Sequence, residues 1–395
     1  MSNSSKLNYP ELVQINPQSL ISLMRLSNIN SELLSSMLSK KAESQVLEGD
    51  WDSALDEKFE ELDIFESIRN HFLEGQPWKE TRLYSRVVSE IEKGQVKWGC
   101  NTPEQYLRRM KECLEPLYES MKENGYLTQT ELSVGKPSEK PSDEIRVAID
   151  RKGGLLFMDG RHRLAIAKIL GIEQITVNIV LRHSEWVEFQ EAISRYADND
   201  SRGKIYQKID HPDLSFFPAH HTDTRFEMLR DSIGEYECEN KKLIDIGTHW
   251  GHMCVRFEEL GFDCVAIEKL DSNIYYLKGI RQAFGRNFEV WQGDIFDYHA
   301  IEEMDVVIAL NILHHFCKTE PLHKRLIVLL QRMKAEVMFF QAHRQNPPGQ
   351  MEGAFRNYSE DEFLSFISEH TGLNHWEKLG VASDGRPLFK LWRNQ

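Results

Sequence analysis

The chain has few cysteines, no long hydrophobic run and no excess of positive charge. Its 395 residues include six cysteines, none of them in a C-x-x-C pair. This scatter argues against a zinc ribbon and against a secreted disulfide framework, and it favours a reducing compartment. No 18 apolar residues follow one another, and residues 1–20 lack the basic and apolar pattern of a signal peptide. We therefore expect a cytoplasmic protein without membrane insertion.

Acidic residues outnumber basic ones. The chain has 62 Asp and Glu against 48 Lys and Arg, a formal net charge of −14, and each half is net negative. Without bulk positive charge, nucleic acid is disfavoured as a partner. Hydrophobic residues make up 41% of the chain and prolines number only 13, which is typical of a folded protein. The length predicts two domains, with room for a small accessory segment.

Hydrophobic patterning divides the chain into three parts. In residues 1–50, apolar spacing at 20–26 and 33–38 predicts one or two short amphipathic helices in a partly flexible segment. Residues 51–200 begin with a helical layer and, after a polar loop, change to strand, strand, helix and strand, an α+β unit. Residues 206–395 alternate strands and helices, which predicts a parallel sheet with helices on both faces and two antiparallel edge strands.

A loop with two glycines follows the first strand of this third part. Its sequence is D-I-G-T-H-W-G, from Asp245 to Gly251, and it opens a helix. Glycines at such a place let the backbone approach a ligand beside the helix N-terminus. A dinucleotide-binding loop would also have glycines here, but its G-x-G-x-x-G pattern fails because His249 occupies the second glycine position.

Two acids follow the next two strands. Glu268 ends the second strand, where a carboxylate can accept hydrogen bonds from both ribose hydroxyls. Asp294 follows the third strand, where an acid could accept a hydrogen bond from an adenine amino group while Ile295 packs against the ring. These positions predict a nucleoside-binding edge.

In this order, the residues resemble class I S-adenosylmethionine-dependent methyltransferases over roughly residues 215–395. The first motif of that family corresponds to Asp245, Gly247 and Gly251, and the stretch after its fourth strand corresponds to N-I-L-H-H-F from Asn311. The resemblance implies a Rossmann-like seven-stranded sheet and S-adenosylmethionine as cofactor. It implies cofactor contacts from Asp245, Gly247, Thr248, Gly251, Glu268, Asp294, Ile295 and Asn311. The alternatives are a doubly wound domain that has lost its ligand and one that binds a nucleotide.

His314 and His315 lie where the resemblance places the methyl acceptor, and either has a suitable ordinary pKa for a general base. Methyl transfer can rest largely on positioning, so a base is needed only if the acceptor keeps its proton until late. The alternative is that one histidine packs in the sheet and the other is solvated. Other histidines near the loop lack an H-x-x-x-H spacing or acidic partners, so no metal is predicted.

A second motif lies at a strand-to-helix junction in the α+β unit. Asp159, Gly160, Arg161, His162 and Arg163 place a glycine and three potential cations at a helix start, which suits an anion. Residues 140–183 resemble the ParB/sulfiredoxin superfamily, although Arg161 replaces its cysteine or histidine. The resemblance implies that Gly160, Arg161, His162 and Arg163 bind nucleotide phosphates, while Asp159 is the nearest acid that could orient a hydroxyl, with ATP and Mg²⁺. The alternative is a turn flanked by ion-paired surface arginines.

Together these motifs predict a methyltransferase acting on a small-molecule, sugar or glycan acceptor. The N-terminal half is predicted to bind a nucleotide and, if it is a kinase, to phosphorylate the same acceptor. Two alternatives remain: an N-terminal half that only recruits a partner or substrate, and a degenerate methyltransferase acting as a scaffold or sensor. No oligomeric state is predicted.

Overall fold

The structure is a computed structural model that describes most of the chain. The described residues are 9–25, 27, 29, 31–37, 44–132, 144–200, 202–221, 225–234, 238–341, 343 and 351–393. The polar loop predicted over residues 135–143 lies outside them. The chain folds into two units, Met1–Ala192 with Pro212–Phe216, and Ile193–His211 with Phe217–Gln395. Within the described ranges, no helix is long and apolar enough to cross a membrane.

The first unit contains a seven-stranded mixed sheet. Its spatial order is β1-β7-β5-β6-β2-β4, and β3 also pairs with β7. β5 lies parallel to β7 and antiparallel to β6. The strands are β1 (Leu12–Ile15), β2 (Ser22–Met24), β3 (Gln45–Leu47), β4 (Ala54–Lys58), β5 (Ile145–Ile149), β6 (Leu155–Asp159) and β7 (Ile175–His183).

Helices follow the amphipathic stripes of this unit. Several begin at side chains that accept from a free helix N–H; for example, Thr102 Oγ1 accepts from Gln105 N at 3.3 Å before a proline. The helices are α1 (Ser31–Met37), α2 (Asp63–Glu74), α3 (Arg82–Glu92), α4 (Pro103–Asn124), α5 (Gln129–Leu132), α6 (Arg161–Ile169) and α7 (Ser184–Asp198). The predicted helical layer is therefore present from α2 onward, whereas residues 54–58 at its start form β4. The predicted strand, strand, helix, strand order is confirmed from β5 to β7.

The helix predicted over residues 20–26 is wrong. Residues 22–24 form β2, which pairs antiparallel with β4 and parallel with β6. Leu23 and Met24 are both buried although they are adjacent and point to opposite faces, so both faces of this strand are covered. A three-residue strand covered on both faces cannot be told from a helix turn by periodicity. The helix predicted over 33–38 is present as α1, except for residue 38, which is outside the described residues.

The second unit contains the doubly wound, Rossmann-like sheet predicted from the alternating pattern. Its order is β12-β11-β10-β13-β14-β16-β15. The first five strands are parallel to one another, β16 pairs antiparallel with β14, and β15 pairs antiparallel with β16. The strands are β10 (Lys242–Ile246), β11 (Asp263–Glu268), β12 (Glu289–Gln292), β13 (Val306–Leu310), β14 (Val337–Gln341), β15 (His375–Val381) and β16 (Pro387–Trp392). A short ribbon of β8 (Ile205–Gln207) and β9 (Ala219–His221) precedes them.

Among the described residues of this unit, α-helices alternate with the strands as predicted. They are α8 (Arg225–Ile233), α9 (His252–Glu259), α10 (Asp271–Ala283), α11 (Glu320–Arg332) and α12 (Glu360–Thr371). The chain runs outward from β10 to β12, then returns to the other side of β10 at β13. In an open parallel sheet, this reversal leaves a crevice beyond the carboxyl ends of the two central strands, where ligands bind.

Candidate active site

The carboxyl ends of the central strands meet at one edge of the second unit's sheet. β10 and β11 end in register, with Ile246 opposite Ile267, and Glu268 lies opposite Gln292 at the end of β12. The loop after β10 is tied to its neighbour, since the backbone N–H of Gly247 donates to the Ile267 carbonyl at 3.0 Å. Parallel pairing therefore brings distant motif residues to one place.

A cavity of about 540 Å³ opens at this edge. Its lining includes Gly247, Glu268, Asp294, Ile295 and Asn311 from the predicted cofactor set. The size lies within the usual range for small-molecule sites. The structure thus collects in one cavity residues from the ends of four strands.

Glu268 is held as a hydrogen-bond acceptor. It is 6% exposed, and one carboxylate oxygen accepts from the His249 backbone N–H at 3.0 Å. The other accepts from the N–H groups of Lys269 and Leu270 at 2.8 Å each. Because a carboxylate offers about four acceptor positions, at least one remains for a ligand hydroxyl.

Asp294 is fixed by a local cap. One oxygen accepts from the Phe296 N–H at 3.2 Å, and the other accepts from Lys269 Nζ at 3.0 Å. The next residue, Ile295, is 3% exposed and lines the cavity beside the carboxylate. An acid and an apolar side chain therefore adjoin at the end of β12.

A second cavity, of about 80 Å³, lies on the other side of Gly247 and contains the predicted Asp245 and Thr248. It shares Tyr206, Gly247, His249 and Leu310 with the larger one. Asp245 is 5% exposed, and burial raises the pKa of its carboxyl to about 6. Arg225 lines the same cavity and donates to Gln207 Oε1 at 2.5 Å. A buried acid and a buried cation in one small space complement the ammonium and carboxylate of an amino acid.

Two glycines of the loop are required by the packing. Gly247 and Gly251 have φ of +74° and +81°. A Cβ on Gly247 would lie 3.0 Å from Ile312 Cδ1, and one on Gly251 would lie 2.4 Å from Leu277 Cδ1. The left-handed backbone therefore favours glycine at both positions, and a Cβ at either one would require the neighbouring side-chain methyl group to move.

His249, the departure from the family pattern, is accommodated by aromatic packing. Its backbone is left-handed, with φ of +58°, and its ring stacks on Trp250 with centroids 5.1 Å apart. Tyr206 packs on it at 5.0 Å. Burial lowers the pKa of His249 to about 4, so the ring is neutral at pH 7. The loop therefore keeps the left-handed turn that a glycine would adopt, and aromatic rings pack against it.

Asn311 follows β13 in a left-handed conformation, with φ of +58°. Arg386, from the hairpin between β15 and β16, donates through Nη1 to Asn311 Oδ1 at 2.6 Å. Asn311 Nδ2 is buried and has no hydrogen-bond partner among the residues that the structure describes. The amide therefore has its oxygen paired with Arg386 and its nitrogen unsatisfied.

The two predicted catalytic histidines differ in environment. His315 lines the large cavity, whereas His314 is 1% exposed and stacks on His343 with centroids 5.1 Å apart. Burial, reinforced by neighbouring positive groups, lowers the pKa of His314 to about 3. Burial first, then Lys318 and Arg386, also lowers the pKa of His315. Both rings are neutral at pH 7, the state a general base requires.

The second predicted motif lies in the first unit. Gly160 caps α6 with φ of +98°, and a Cβ there would lie 3.0 Å from the Ile145 backbone. The Asp159 carboxylate accepts from the Gly160 N–H at 2.8 Å and lies 3.7 Å from Arg146. Arg163 lies 3.7 Å from the buried Glu144, and its Nη1 is buried without a hydrogen-bond partner.

His162 packs against the helical layer. Its ring stacks on Trp98 with centroids 4.8 Å apart, and Arg109 lies over the same indole at 5.2 Å. Burial lowers the pKa of His162 to about 4. Of the three potential cations in this motif, His162 is thus neutral at pH 7, while the exposed Arg161 and the partly buried Arg163 keep their charge.

Three residues at the two cavities were not predicted from the sequence: Arg225, Tyr206 and, through its bond to Asn311, Arg386. Arg225 begins α8, and Tyr206 lies in a three-residue strand, so neither belongs to a spaced motif. Arg386 follows Gly385 in a hairpin far along the chain. The turn glycine was the sequence feature that could have indicated this hairpin. Among the described residues, no group of three or more His, Cys, Asp or Glu could hold a metal ion.

No family model and no curated protein sequence matches the chain. Solved structures with similar folds include the bifunctional kinase-methyltransferase WbdD, with 17% identity over 51% of this chain and 46% of that one, and a TM-score of 0.40. Another is an S-adenosylmethionine-dependent methyltransferase from Clostridium acetobutylicum ATCC 824, with 9% identity, 43% and 91% coverage, and a TM-score of 0.35. The methyltransferase domain of bacterial CtHen1 has 11% identity, 43% and 97% coverage, and a TM-score of 0.34. The matched part spans about half the length of WbdD.

Proposed function

We propose that the second unit is an S-adenosylmethionine-dependent methyltransferase acting on a small-molecule or glycan acceptor. One observation carries this proposal: two adjoining cavities meet at Gly247, one with Glu268 and Asp294 for a nucleoside, the other with Asp245 and Arg225 for an amino acid. A dinucleotide would need a phosphate-binding region between its halves, whereas here the His249 ring lines both cavities and is neutral at pH 7.

The residues present fit this cofactor. Glu268 would accept from the ribose, Asp294 and Ile295 would contact adenine, and Asp245 with Arg225 would pair with the amino-acid end. When bound, the cofactor supplies a methyl carbon, which bonds to the acceptor's lone pair as the electrons of its carbon–sulfur bond pass to sulfur. The neutral His315 ring at the cavity can take a proton from a protonated acceptor.

His314 and His315 would then have different roles. His315 borders the space in which an acceptor must lie, while His314 packs beneath it against His343. We propose that His315 contacts the acceptor and that His314 positions the turn between β13 and α11.

A labelled-methyl assay tests the proposed function. Fractionated metabolites and glycans are incubated with the protein and S-adenosyl-[methyl-³H]methionine, with and without ATP and Mg²⁺. We expect transfer of label by the wild type and loss of it in Glu268→Ala. Glu303→Ala, an exposed acid paired with Lys242, is the matched control. If neither the wild type nor Glu303→Ala transfers label to any fraction, the result would count against a methyltransferase.

For the first unit, we propose a nucleotide-binding role centred on Gly160, Arg161 and Arg163. The observation that favours it is Nη1 of Arg163 near the start of α6, which is buried 3.7 Å from the Glu144 carboxylate and makes no hydrogen bond among the described residues. Asp159 is exposed and near enough to this helix start to orient a hydroxyl, as a phosphotransferase with ATP and Mg²⁺ would need.

ATP titration separates this role from simple recruitment of a partner. If the unit binds nucleotide, ATP with Mg²⁺ should bind to the wild type, and Arg163→Ala should weaken binding at least tenfold. Arg108→Ala, on α4, is the control. ATP-dependent labelling in the methyl assay would add support for phosphorylation of the acceptor. Absence of ATP binding would leave the unit as a recruiting module.

A further inference from the structure

The two cavities of the second unit share a neck of four residues. Tyr206, Gly247, His249 and Leu310 line both the cavity of about 540 Å³ and the cavity of about 80 Å³. All four belong to the second unit, and each of them keeps part of its surface exposed. A ligand that extends from one cavity into the other therefore passes between these residues.

The neck contains two aromatic rings and no charged group. The Tyr206 and His249 rings contact each other, with centroids 5.0 Å apart and planes inclined by 49°. The His249 ring is also held by Trp250, which stacks on it, and by the Tyr196 hydroxyl, which lies 3.4 Å from Nε2. Because burial lowers the pKa of His249 to about 4, its imidazole is neutral at pH 7. The neck therefore presents uncharged, electron-rich rings to a ligand.

The charged side chains on either side of the neck are compatible with a positive ligand group. Three acids and two bases line the two cavities: Glu268, Asp294, Asp245, Lys269 and Arg225. Lys269 is neutralised by Asp294, to which it donates at 3.0 Å. With a pKa of about 6, Asp245 is mainly ionised at pH 7. A cation at the neck therefore meets a small excess of negative charge.

A sulfonium group has the properties that suit this neck. In S-adenosylmethionine the sulfonium joins the ribose end to the amino-acid end, so it would lie at the neck if Glu268 holds the ribose and Asp245 holds the amino acid. A sulfonium has no N–H or O–H group, so no hydrogen-bond acceptor can recognise it. Aromatic rings can, because the face of a ring attracts a cation within about 6 Å, as it does in sites for quaternary ammonium ligands.

We infer that the rings of Tyr206 and His249 recognise the sulfonium cation of the cofactor and so distinguish it from the neutral product, S-adenosylhomocysteine. This inference rests on the proposed methyltransferase function and adds two specificity-determining residues to it. Methyl transfer leaves the sulfur neutral, because the electrons of the broken carbon–sulfur bond stay on it. The rings then hold the product less tightly than the cofactor, which favours exchange of product for fresh cofactor.

Calorimetric titration of the full chain with each of the two ligands, in the absence of an acceptor, tests the inference. The ligands differ only in one methyl group and the positive charge on sulfur. Tyr206→Leu removes the ring but keeps an apolar side chain. We expect this variant to weaken the binding of S-adenosylmethionine about fivefold and to leave that of S-adenosylhomocysteine within about twofold of the wild type. Tyr206→Phe keeps the ring and should bind both ligands as the wild type does.

A second variant keeps the test valid if Tyr206→Leu does not fold. His249→Gly removes the other ring, and glycine suits the left-handed backbone at this position, where φ is +58°. This variant should also weaken the binding of S-adenosylmethionine more than that of S-adenosylhomocysteine. The matched control is Tyr275→Leu, at a tyrosine on α10 that is 53% exposed and lies outside the neck. Tyr275→Leu should leave both affinities unchanged.

The outcomes separate this inference from the proposed function. If both ligands bind to the wild type but lose affinity equally when a ring is removed, or lose none, the rings do not recognise charge, and the inference is wrong while the methyltransferase proposal stands. A selective loss in Tyr206→Phe as large as that in Tyr206→Leu would also contradict it, because the hydroxyl group would then be responsible. If neither ligand binds to the wild type, the proposed function fails as well.

Discussion

Replacing Gly247 with alanine should damage ligand binding more than folding. Gly247 has φ of +74°, so alanine there adopts a left-handed backbone at a cost of roughly 1–2 kcal/mol. In addition, the new Cβ would lie 3.0 Å from Ile312 Cδ1 and 3.1 Å from its Cγ1. Ile312 lines the same cavity, so the clash is relieved only by moving a cavity wall.

The matched control is Gly285→Ala. Gly285 has φ of +61° after α10, and its Cβ would meet nothing within 4 Å. Both variants should therefore lose roughly 1–2 kcal/mol of stability from backbone conformation, measured by urea denaturation. Only Gly247→Ala changes the space between the two cavities.

Calorimetric titration with S-adenosylhomocysteine measures the difference. We expect Gly247→Ala to weaken binding at least tenfold, about 1.4 kcal/mol, and Gly285→Ala to leave it within twofold. Adding Ile312→Ala should restore part of the affinity, since it removes the two closest atoms and leaves a Cβ at 3.5 Å. Wild-type affinity in Gly247→Ala, with the stability loss of the control, would refute a ligand cradled by this loop.

Three further predictions concern charged and titrating groups. Because burial raises the pKa of Asp245 from 3.8 to about 6, the native state binds a proton more tightly than the unfolded state. The contribution of this group to stability should therefore fall by about 2 kcal/mol as pH rises from 4 to 7, and Asp245→Asn should remove that fall in urea titrations. Asp213→Ala should lower the free energy of unfolding by about 3–5 kcal/mol, because the Asp213 carboxylate is 0% exposed and accepts from Arg182 at 2.7 and 2.9 Å. Glu66→Gln, at an exposed ion pair, should lower it by under about 1 kcal/mol. Equal losses for the two variants in urea denaturation would contradict this prediction. With a pKa of about 3, His314 should show no NMR titration between pH 7 and 5, and a midpoint near 6.5 would show that its ring is not buried as described.

Much of the second unit follows from pattern because parallel strands impose long-range order. Once β10 to β13 are predicted, their carboxyl ends must share an edge, so Glu268 and Asp294 come together although they are far apart in sequence. Left-handed turns also have a sequence signal, as Gly247 illustrates. His249 lacks this signal, because a non-glycine residue argues against a left-handed turn. Its packing against Trp250 and Tyr206 explains how the turn is kept.

The parts that pattern did not predict depend on tertiary contact. β2 has three residues, too few for periodicity, and its partners β4 and β6 lie far along the chain. Arg386 reaches Asn311 only because β16 pairs with β14 and so brings its hairpin to the crevice. His162 gave a cationic signal in the sequence, but burial against Trp98 makes it neutral.

The most direct measurement is a crystal structure of the protein soaked with S-adenosylhomocysteine. We expect adenosine beside Glu268 and Asp294, with the amino-acid end passing Gly247 to reach Asp245 and Arg225. A crevice that stays empty at saturating ligand, or one that takes up a pyrophosphate compound in preference, would contradict it.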